Sequence, residues 1–419
     1  MVCRKYSGVD HRAWNPSSTP AITRLIEGLD GAGHDTHVLF LAKDDQADAA
    51  QDGYETDFGR FRTVRARFLA WRGGRHGPAP LRNAVNTMRH LPDVWSAARK
   101  NNDVIYVDRG NLFYAAFLAL LGHRVIWRCL GVMPYVLARH AANPLGRIYF
   151  HFCRLMFRTP IRLIVCTFDG SPWSRVFAGA VRRKLVLLAN GVDRPDTGAS
   201  ALPAILSRPA GVPAIVFIGR MVPSKGVMPF ADALARLHRQ GLEFRVAMIG
   251  YGPLSEPFAA RIAAEGLADK VACLGRQPQR EVAAILAASD IFVTLSAGGT
   301  FGNTTLEAMA AGTCVVGLSP DAETGIDETT AEAVPDDIFA RVGRADIAGS
   351  LTDVLARLIQ APDEIARRKT ESRRFADAFL STWHARVAEE IRLIESVAAG
   401  RRPEPTRSPF AVTQRSASP

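Results

Sequence analysis

The sequence predicts an α/β protein of two Rossmann-like domains facing each other across a cleft. Three observations predict it. Short runs rich in Val, Ile and Phe alternate with stretches of helical periodicity through residues 214–318. The same rhythm, less regular, runs through residues 20–193. Between them, residues 194–212 carry Pro195, Thr197, Gly198, Pro203 and Pro209 and read as a linker. Strand–helix alternation makes a parallel sheet with helices on both faces, joined by right-handed crossovers. A length of 419 residues suits two domains of roughly 100–200 residues each.

In the front half a helix over 20–31 ends at Gly31-Ala32-Gly33, and His37-Val38-Leu39-Phe40-Leu41 follows as a strand. Asp103 to Val107 is the next strand, then an apolar helix over 111–121, then strands at Val125-Ile126-Trp127 and Leu163 to Cys166. Lys184 to Leu188 closes the series at Asn190-Gly191-Val192-Asp193. A sheet of this kind starts with a buried strand, yet only Met1-Val2-Cys3 precedes a polar stretch. We therefore expect the first strand to lack a few residues. In the back half, strand Ala214 to Ile218 ends at Gly219, and Val227, Phe230, Leu234 and Leu237 mark a helix over 226–240. Strand Phe244 to Ile249 leads into Gly250-Tyr251-Gly252-Pro253 and a helix through about Glu265. Strand Val271 to Leu274, helix Glu281 to Ala288, strand Ile291 to Leu295, helix 303–311 and strand Cys314 to Leu318 complete it. Residues 1–199 and 200–375 are thus the two domains, and 400–419, rich in Pro, Ser and Arg, is a disordered tail.

Composition narrows the function classes. Hydrophobic content of 47% with 22% charged residues excludes wholesale disorder. The longest apolar run, Leu112 to Leu121, is about half the roughly twenty residues a membrane-spanning helix needs. The start, Met1-Val2-Cys3-Arg4-Lys5-Tyr6, lacks the apolar core of a secretory signal. Six scattered cysteines without a Cys-x-x-Cys pair read as reduced core residues of a cytoplasmic protein. The net charge of +11 is uneven: residues 1–195 carry 28 Lys and Arg against 15 Asp and Glu, and the remainder 24 against 26. The front half is therefore expected to meet something anionic. Nucleic acid is disfavoured, because no recognised nucleic-acid module accompanies the charge.

Ligands of open parallel sheets bind at the carboxyl ends of the strands. There the back half offers Gly219-Arg220-Met221-Val222-Pro223-Ser224-Lys225-Gly226. Two cations on one loop, with glycines for close backbone approach, suit a diphosphate; two solvated surface cations would read alike. A second loop runs Ser296-Ala297-Gly298-Gly299-Thr300-Phe301-Gly302-Asn303-Thr304-Thr305-Leu306-Glu307. Small residues open a helix there, Asn303 reads as its cap, and exposed amides at a helix start attract phosphate. Glu307 suits the two hydroxyls of a ribose, or else caps its own helix.

Taken in order and spacing, these segments resemble a known family. Gly219-Arg220-x4-Lys225-Gly226, Gly250-Tyr251-Gly252-Pro253, Leu274-Gly275-Arg276 and Phe301-Gly302-x4-Glu307-Ala308-Met309-Ala310-x-Gly312 are similar to the retaining group 1 (family four) glycosyltransferases of GT-B fold. Asn190-Gly191-Val192-Asp193, Gly33-His34-x2-His37-Val38 and Phe379-Leu380-Ser381-Thr382-Trp383 resemble further landmarks. The last of these implies a closing helix, 376–399, that crosses back onto the front domain. The likeness covers about residues 20–398, strongly in the back domain and weakly in the front.

The resemblance implies a nucleotide diphosphate sugar donor and a saccharide or lipid-linked acceptor, with no metal and no other cofactor. Arg220 and Lys225 would hold the diphosphate next to Gly219 and act on the leaving group, and Glu307 would take the ribose. Amides near Thr304 and Thr305 would touch phosphate; Gly250, Gly252, Arg276 and Gln277 would hold the base edge. Two departures stand out. The family's first Glu is Gly299 here, so sugar contacts would pass to the amides of Gly299, Thr300 and Phe301. The family's front-domain histidine is also missing from Trp127-Arg128-Cys129-Leu130-Gly131-Val132. Arg128, or a residue near Asp10-His11, would take its catalytic place; an ion pair at a strand end would explain Arg128 as well. Alternative activities on the same fold are a nucleotide-sugar-binding pseudoenzyme and a nucleotide-sugar epimerase. A nicotinamide dehydrogenase is the least favoured, for want of a Gly-x-Gly-x-x-Gly turn after a strand with an acidic residue downstream.

Two front-domain segments bear on the acceptor. Arg139, His140, Arg147, His151, Arg154, Arg158 and Arg162 interleave with Tyr149, Phe150, Phe152, Leu155 and Phe157. Such a helix either lies on an anionic membrane at the inner face of the cytoplasmic membrane or packs on its sheet with a solvated basic face. The run Arg60, Arg62, Arg65, Arg67, Arg72 and Arg75 suits a phosphorylated lipid acceptor equally well.

Overall fold

The computed structural model describes the chain apart from residues 7–8, 11, 16–18, 43–52, 75, 101, 133–134, 137–143, 178, 194–201 and 404–419. Two compact units result. One comprises Met1–Thr167, Trp173–Asn190 and the chain from Trp383; the other comprises Phe168–Pro172 and Gly191–Thr382. His11, Arg75, Arg139 and His140, the first part of the linker (194–201) and most of the tail lie outside the described residues.

The first unit runs β1 (Val2–Arg4), α1 (Pro20–Gly31), β2 (Thr36–Leu41), β3 (Tyr54–Thr56), β4 (Val64–Leu69), α2 (Ala79–Ala98) and β5 (Ile105–Asp108). It continues through α3 (Leu112–Leu120), β6 (Val125–Cys129), α4 (Pro144–Arg158), β7 (Leu163–Thr167), α5 (Trp173–Val176) and β8 (Leu185–Leu188). The sheet order is β3-β4-β2-β1-β5-β6-β7-β8, parallel throughout except for β3 against β4. The expected short first strand is three residues long and central, with Val2 aligned on Leu39 of one neighbour and Val107 of the other. Strands β5 to β8 bury nearly every side chain, as a sheet covered on both faces requires.

The second unit runs β9 (Ala214–Ile218), α6 (Val227–Arg239), β10 (Arg245–Ile249), α7 (Ser255–Ala264), β11 (Val271–Gly275), α8 (Gln279–Ala288) and β12 (Ile291–Thr294). It continues with α9 (Asn303–Ala311), β13 (Cys314–Leu318), α10 (Glu328–Ala333), β14 (Phe339–Val342), α11 (Ile347–Gln360) and α12 (Pro362–Phe379). All pairings in its sheet, β11-β10-β9-β12-β13-β14, are parallel. The order reverses beside β9, and the loops after β9 and β12 are therefore neighbours at the carboxyl edge, where such sheets hold ligands. Phe217, Phe230 and Phe258 stack through the core between β9, α6 and α7.

The chain returns to the first unit as α13 (Trp383–Ala398), which packs on α1 so closely that a Cβ on Gly28 would stand 2.4 Å from Val387. A buried charge cluster pins this helix. Glu390 is 1% exposed; it accepts from the Tyr106 hydroxyl (2.5 Å) and from Arg386 (2.7 Å), and Arg128 stands 3.7 Å away. Burial works to raise the Glu390 pKa, but Arg128 and Arg386 outweigh it and hold the carboxyl below its usual range.

Two sequence expectations are corrected here. The arginine run from Arg60 is only in part free for contact: Arg60 pairs with Glu27, and both Arg67 and Arg72 pair with Asp93, while Arg62 and Arg65 are exposed. These residues build β4 and its junction with α2, elements whose polar alternation hid them from the apolar-run reading. Asn303 does not cap α9: the cap position is Gly302, with no side-chain capping bond.

Removing the carboxylate at Glu390 leaves two guanidiniums buried without their counter-charge. Glu390→Ala is expected to destabilise the first unit by about 3–5 kcal/mol. Urea unfolding followed by circular dichroism measures this, and an unmoved transition would contradict the assignment of the cluster as a staple.

Candidate functional site

The candidate site is built at the carboxyl edge of the second sheet by glycines that let loops touch backbone to backbone. Gly250, at φ +142°, follows β10; a Cβ there would lie 1.8 Å from the Gly219 carbonyl oxygen after β9. A Cβ on Gly252 would lie 2.5 Å from the Met221 carbonyl oxygen. Met221 N–H donates to Tyr251 O (3.2 Å), and Leu254 N–H to Met221 O (3.0 Å). Gly250 and Gly252 therefore brace the β9 loop. Gly226, at φ +71°, ends that loop in a left-handed turn against Leu295 and starts α6.

The braced loop presents the two cations. Ala297 N–H donates to Ser224 O (2.9 Å), tying the β9 loop to the β12 loop, and Lys225 Nζ donates to Ser296 Oγ (3.1 Å). Lys225 is half-buried. Its pKa is lowered, first by burial and then by the neighbouring Arg220 charge, against a pull from Asp169. Arg220 is exposed, and its guanidinium has no hydrogen-bond or ion-pair partner among the described residues. A desolvated ammonium beside an unpartnered guanidinium is a site poised for anionic charge.

Residues that the sequence reading missed complete the neighbourhood. Gly299, at φ +127°, lies against Phe168–Pro172: a Cβ would stand 2.5 Å from the Asp169 carbonyl oxygen. A glutamate has no room at that position. Thr300 is buried, and its N–H donates to Asp327 Oδ1 (2.9 Å), so that amide is not available to a sugar as expected. Asp327, itself at φ +61°, donates its N–H to Gly170 O (2.7 Å), and its carboxylate meets Arg344 (3.3 Å). Asp169 accepts from the Ser171 amide and hydroxyl. Burial pushes Asp169 and Asp327 each up to about 6. The Asp169-Gly170 pair, just past a strand's carboxyl end, was the signal available in the sequence. Phe301 is buried edge-on against Phe168 (5.4 Å).

Glu307 lies in α9 and does not cap its own helix. Its carboxylate accepts from Gln279 Nε2 on α8 (2.8 Å) and borders a cavity of about 230 Å³ between these two helices. Leu286, Ala310, Arg373 and Asp193 line the same cavity; Arg220 and Lys225 do not. Burial pushes the Glu307 carboxyl up to about 7, against the Gln279 hydrogen bond. Thr305 N–H is used within the first turn, donating to Gly302 O (3.0 Å). Arg276 is exposed, and Gln277 turns back to donate to Leu274 O (2.5 Å).

Arg128 is the clear correction. It is 0% exposed in β6 of the first unit, bonded to Thr167 Oγ1 (3.1 Å) and paired with Glu390. A side chain so enclosed serves the core and reaches no substrate.

The Gly299 contact makes a measurable claim. Gly299→Ala is expected to destabilise the second unit by about 1–3 kcal/mol, from the φ strain and the clash with Asp169. Thermal unfolding reads it, and a wild-type transition temperature would show that the backbone has room there.

Comparison with known proteins fits this geometry. Residues 212–360 match the family described as glycosyl transferases group 1. The chain is 30% identical over 185 residues to 2-deoxystreptamine glucosyltransferase of Streptomyces kanamyceticus, covering 42% of this chain and 46% of that enzyme. The match thus spans less than half of that relative. It is 25% identical over 342 residues to phosphatidyl-myo-inositol mannosyltransferase of Mycobacterium tuberculosis, covering 78% and 83% of the two chains. Among solved structures, HepE of Anabaena in complex with UDP-glucose superposes with a TM-score of 0.61 at 16% identity, over 93% of this chain and 98% of that one. Residues 212–360 thus form a group 1 glycosyl transferase domain within a chain of GT-B fold, as the motifs of the sequence indicated.

Proposed function

We propose that the protein transfers a sugar, with retention, from a nucleotide diphosphate sugar to a hydroxyl of a lipid-linked or polysaccharide acceptor. The observation that carries the reading is the pair Arg220 and Lys225 on one glycine-braced loop at a parallel sheet's carboxyl edge, with Lys225 held by Ser296. A diphosphate leaving group gains negative charge as the glycosidic bond breaks. Two cations on one loop, Lys225 held and partly desolvated, stabilise that charge more than the ground state. In the retaining course, the bond from the anomeric carbon to the diphosphate oxygen breaks and a bond to the acceptor oxygen forms on the same face. The acceptor's proton passes to the departing phosphate oxygen. Glu307, with Gln279 beside it, is assigned to the ribose hydroxyls. The HepE complex with UDP-glucose favours a uridine donor, and the mannosyltransferase acting on phosphatidyl-myo-inositol favours a lipid acceptor. The cysteines, all free thiols, suit a reducing compartment such as the cytoplasm.

Gly299 in place of the family's first glutamate favours one second reading, a nucleotide-sugar binder without turnover. Purified protein screened by thermal shift against UDP-, GDP- and ADP-sugars, then assayed for transfer and hydrolysis, tests both. Stabilisation with transfer supports the transferase, stabilisation without turnover supports the binder, and interconversion of free nucleotide sugars indicates an epimerase. No stabilisation by any donor defeats the proposal.

Two variants sharpen it. Lys225→Ala is expected to lower kcat at least ~10²-fold through lost transition-state stabilisation; unchanged turnover removes Lys225 from the mechanism. With its carboxyl raised to about 7, Glu307 is half-protonated near neutrality and accepts two ribose hydroxyls only when ionised. UDP-glucose, whose diphosphate does not titrate there, is expected to bind about tenfold more weakly at pH 6 than at pH 8. Glu307→Gln flattens that dependence; a profile identical to wild type places the ribose elsewhere.

A further inference from the structure

Helix α4 carries two apolar faces, and only one of them is used. Phe150, Cys153, Met156 and Phe157 are buried against the first unit's sheet. On the other side Leu145, Ile148, Tyr149, Phe152 and Leu155 are exposed, with Leu145 at 74% and Leu155 at 62%. At 100° per residue these five fall on one strip about 120° wide. Arg147, His151, Arg154 and Arg158 fall side by side along one flank of it. The helix has no acidic residue. α3, which packs against α4, ends at Leu120, and Leu120 and the following Leu121 are both exposed as well.

We propose that this face of α4 docks the protein on an anionic phospholipid bilayer, lying in the interface with its apolar strip inserted and its arginines on the lipid phosphates. The inference rests on α4 alone and stands apart from the donor assignment. A solvated surface helix leaves one polar face and buries one apolar face; five large apolar side chains facing water is a patch that calls for a cover. The charge selects the cover. A row of cations beside an apolar strip, with no acid, is the pattern of an interfacial helix on acidic lipid. Two copies meeting through the strip would bring two arginine rows together, and a nucleic acid gives Leu145, Ile148 and Leu155 nothing to contact. Fifteen residues, about 22 Å of helix, are too short to cross a bilayer and suit lying along it.

The test is co-sedimentation of the full chain with phosphatidylcholine vesicles and with mixed phosphatidylcholine–phosphatidylglycerol vesicles. Wild type is expected to bind the mixed vesicles, to bind phosphatidylcholine alone weakly, and to lose binding as salt is raised. The triple variant Ile148→Gln, Phe152→Gln, Leu155→Gln and, separately, Arg147→Gln, Arg154→Gln, Arg158→Gln are each expected to lower the partition coefficient about tenfold or more. All six side chains face solvent, so both variants should keep the wild-type melting temperature and, with a soluble acceptor, the wild-type transfer rate. Three results overturn the proposal: no binding of wild type to the mixed vesicles, wild-type binding by both variants, or a wild-type dimer in sedimentation equilibrium that the first variant abolishes.

Discussion

The candidate site depends on one constraint: backbone segments at the carboxyl edge of the second sheet approach too closely for any side chain. The Gly250 α-carbon faces the Gly219 carbonyl, Gly252 faces Met221, and Gly226 faces Leu295. Each contact converts a floppy strand-to-helix connection into a fixed shelf. The cost of holding Gly in one conformation is offset by hydrogen bonds between the loops, Gly250 to Gly275 and Ala297 to Ser224 among them. Lys225 gains its geometry from this shelf. Its long stem is confined between the β9 and β12 loops, and its ammonium donates to the Ser296 hydroxyl, which replaces part of the water it has lost. Preorganised charge of this kind requires no reorientation when a leaving group forms.

Around that shelf the acidic groups are distributed unusually for the resembled family. Position 299 has no side chain, and the space it would fill holds the Asp169 carbonyl and the Gly170 backbone. Carboxylates come instead from Asp169 and Asp327, on two other segments. Both are raised to about 6 by burial, and both are held by hydrogen bonds from Ser171 and from Thr300. Asp327 sits in a left-handed conformation that aspartate tolerates better than most residues, and its carboxylate is satisfied from a distance, by Thr300 and Arg344. The pull of Asp169 on the Lys225 charge couples these acids to the cationic loop. The acid–base balance of the site is thereby set by residues outside its recognisable motifs.

What was legible in the sequence follows from how each signal is encoded. Strands β9 and β13 carry the bounds read from their apolar runs, because a doubly covered parallel sheet writes itself as uninterrupted Val, Ile and Phe. Helices α6 and α9 declare themselves by period and by their flanking glycines. β4 was not legible, because Arg65 and Arg67 alternate through it, nor α2, whose Pro92 breaks the expected pattern. At the site, Arg220 and Lys225 were legible because loop position after a strand implies rim position. The partners were not: Asp327 reaches Thr300, 27 residues earlier, by tertiary folding alone. Arg128 misled for a related reason. A cation ending a strand looks like a rim residue until its counter-charge, Glu390, is found 262 positions onward in α13.

Helix α4 shows the limit of periodicity most clearly. Its strong amphipathic pattern in sequence has two sets of apolar residues nearly half a turn apart, one through Phe150, Cys153 and Phe157, the other through Leu145, Ile148 and Leu155. Hydrophobicity alone ranks both as core. Only the packing decides that the sheet takes the first set and leaves the second in water. The arginines then acquire a meaning that net charge did not give them. The excess of cations in the front half is partly neutralised where Asp93 and Glu27 answer Arg67, Arg72 and Arg60. Along α4 no acid within the helix answers Arg147, Arg154 or Arg158. Part of the basic character inferred from composition thus lies along one helix flank, beside the apolar strip that the fold leaves exposed.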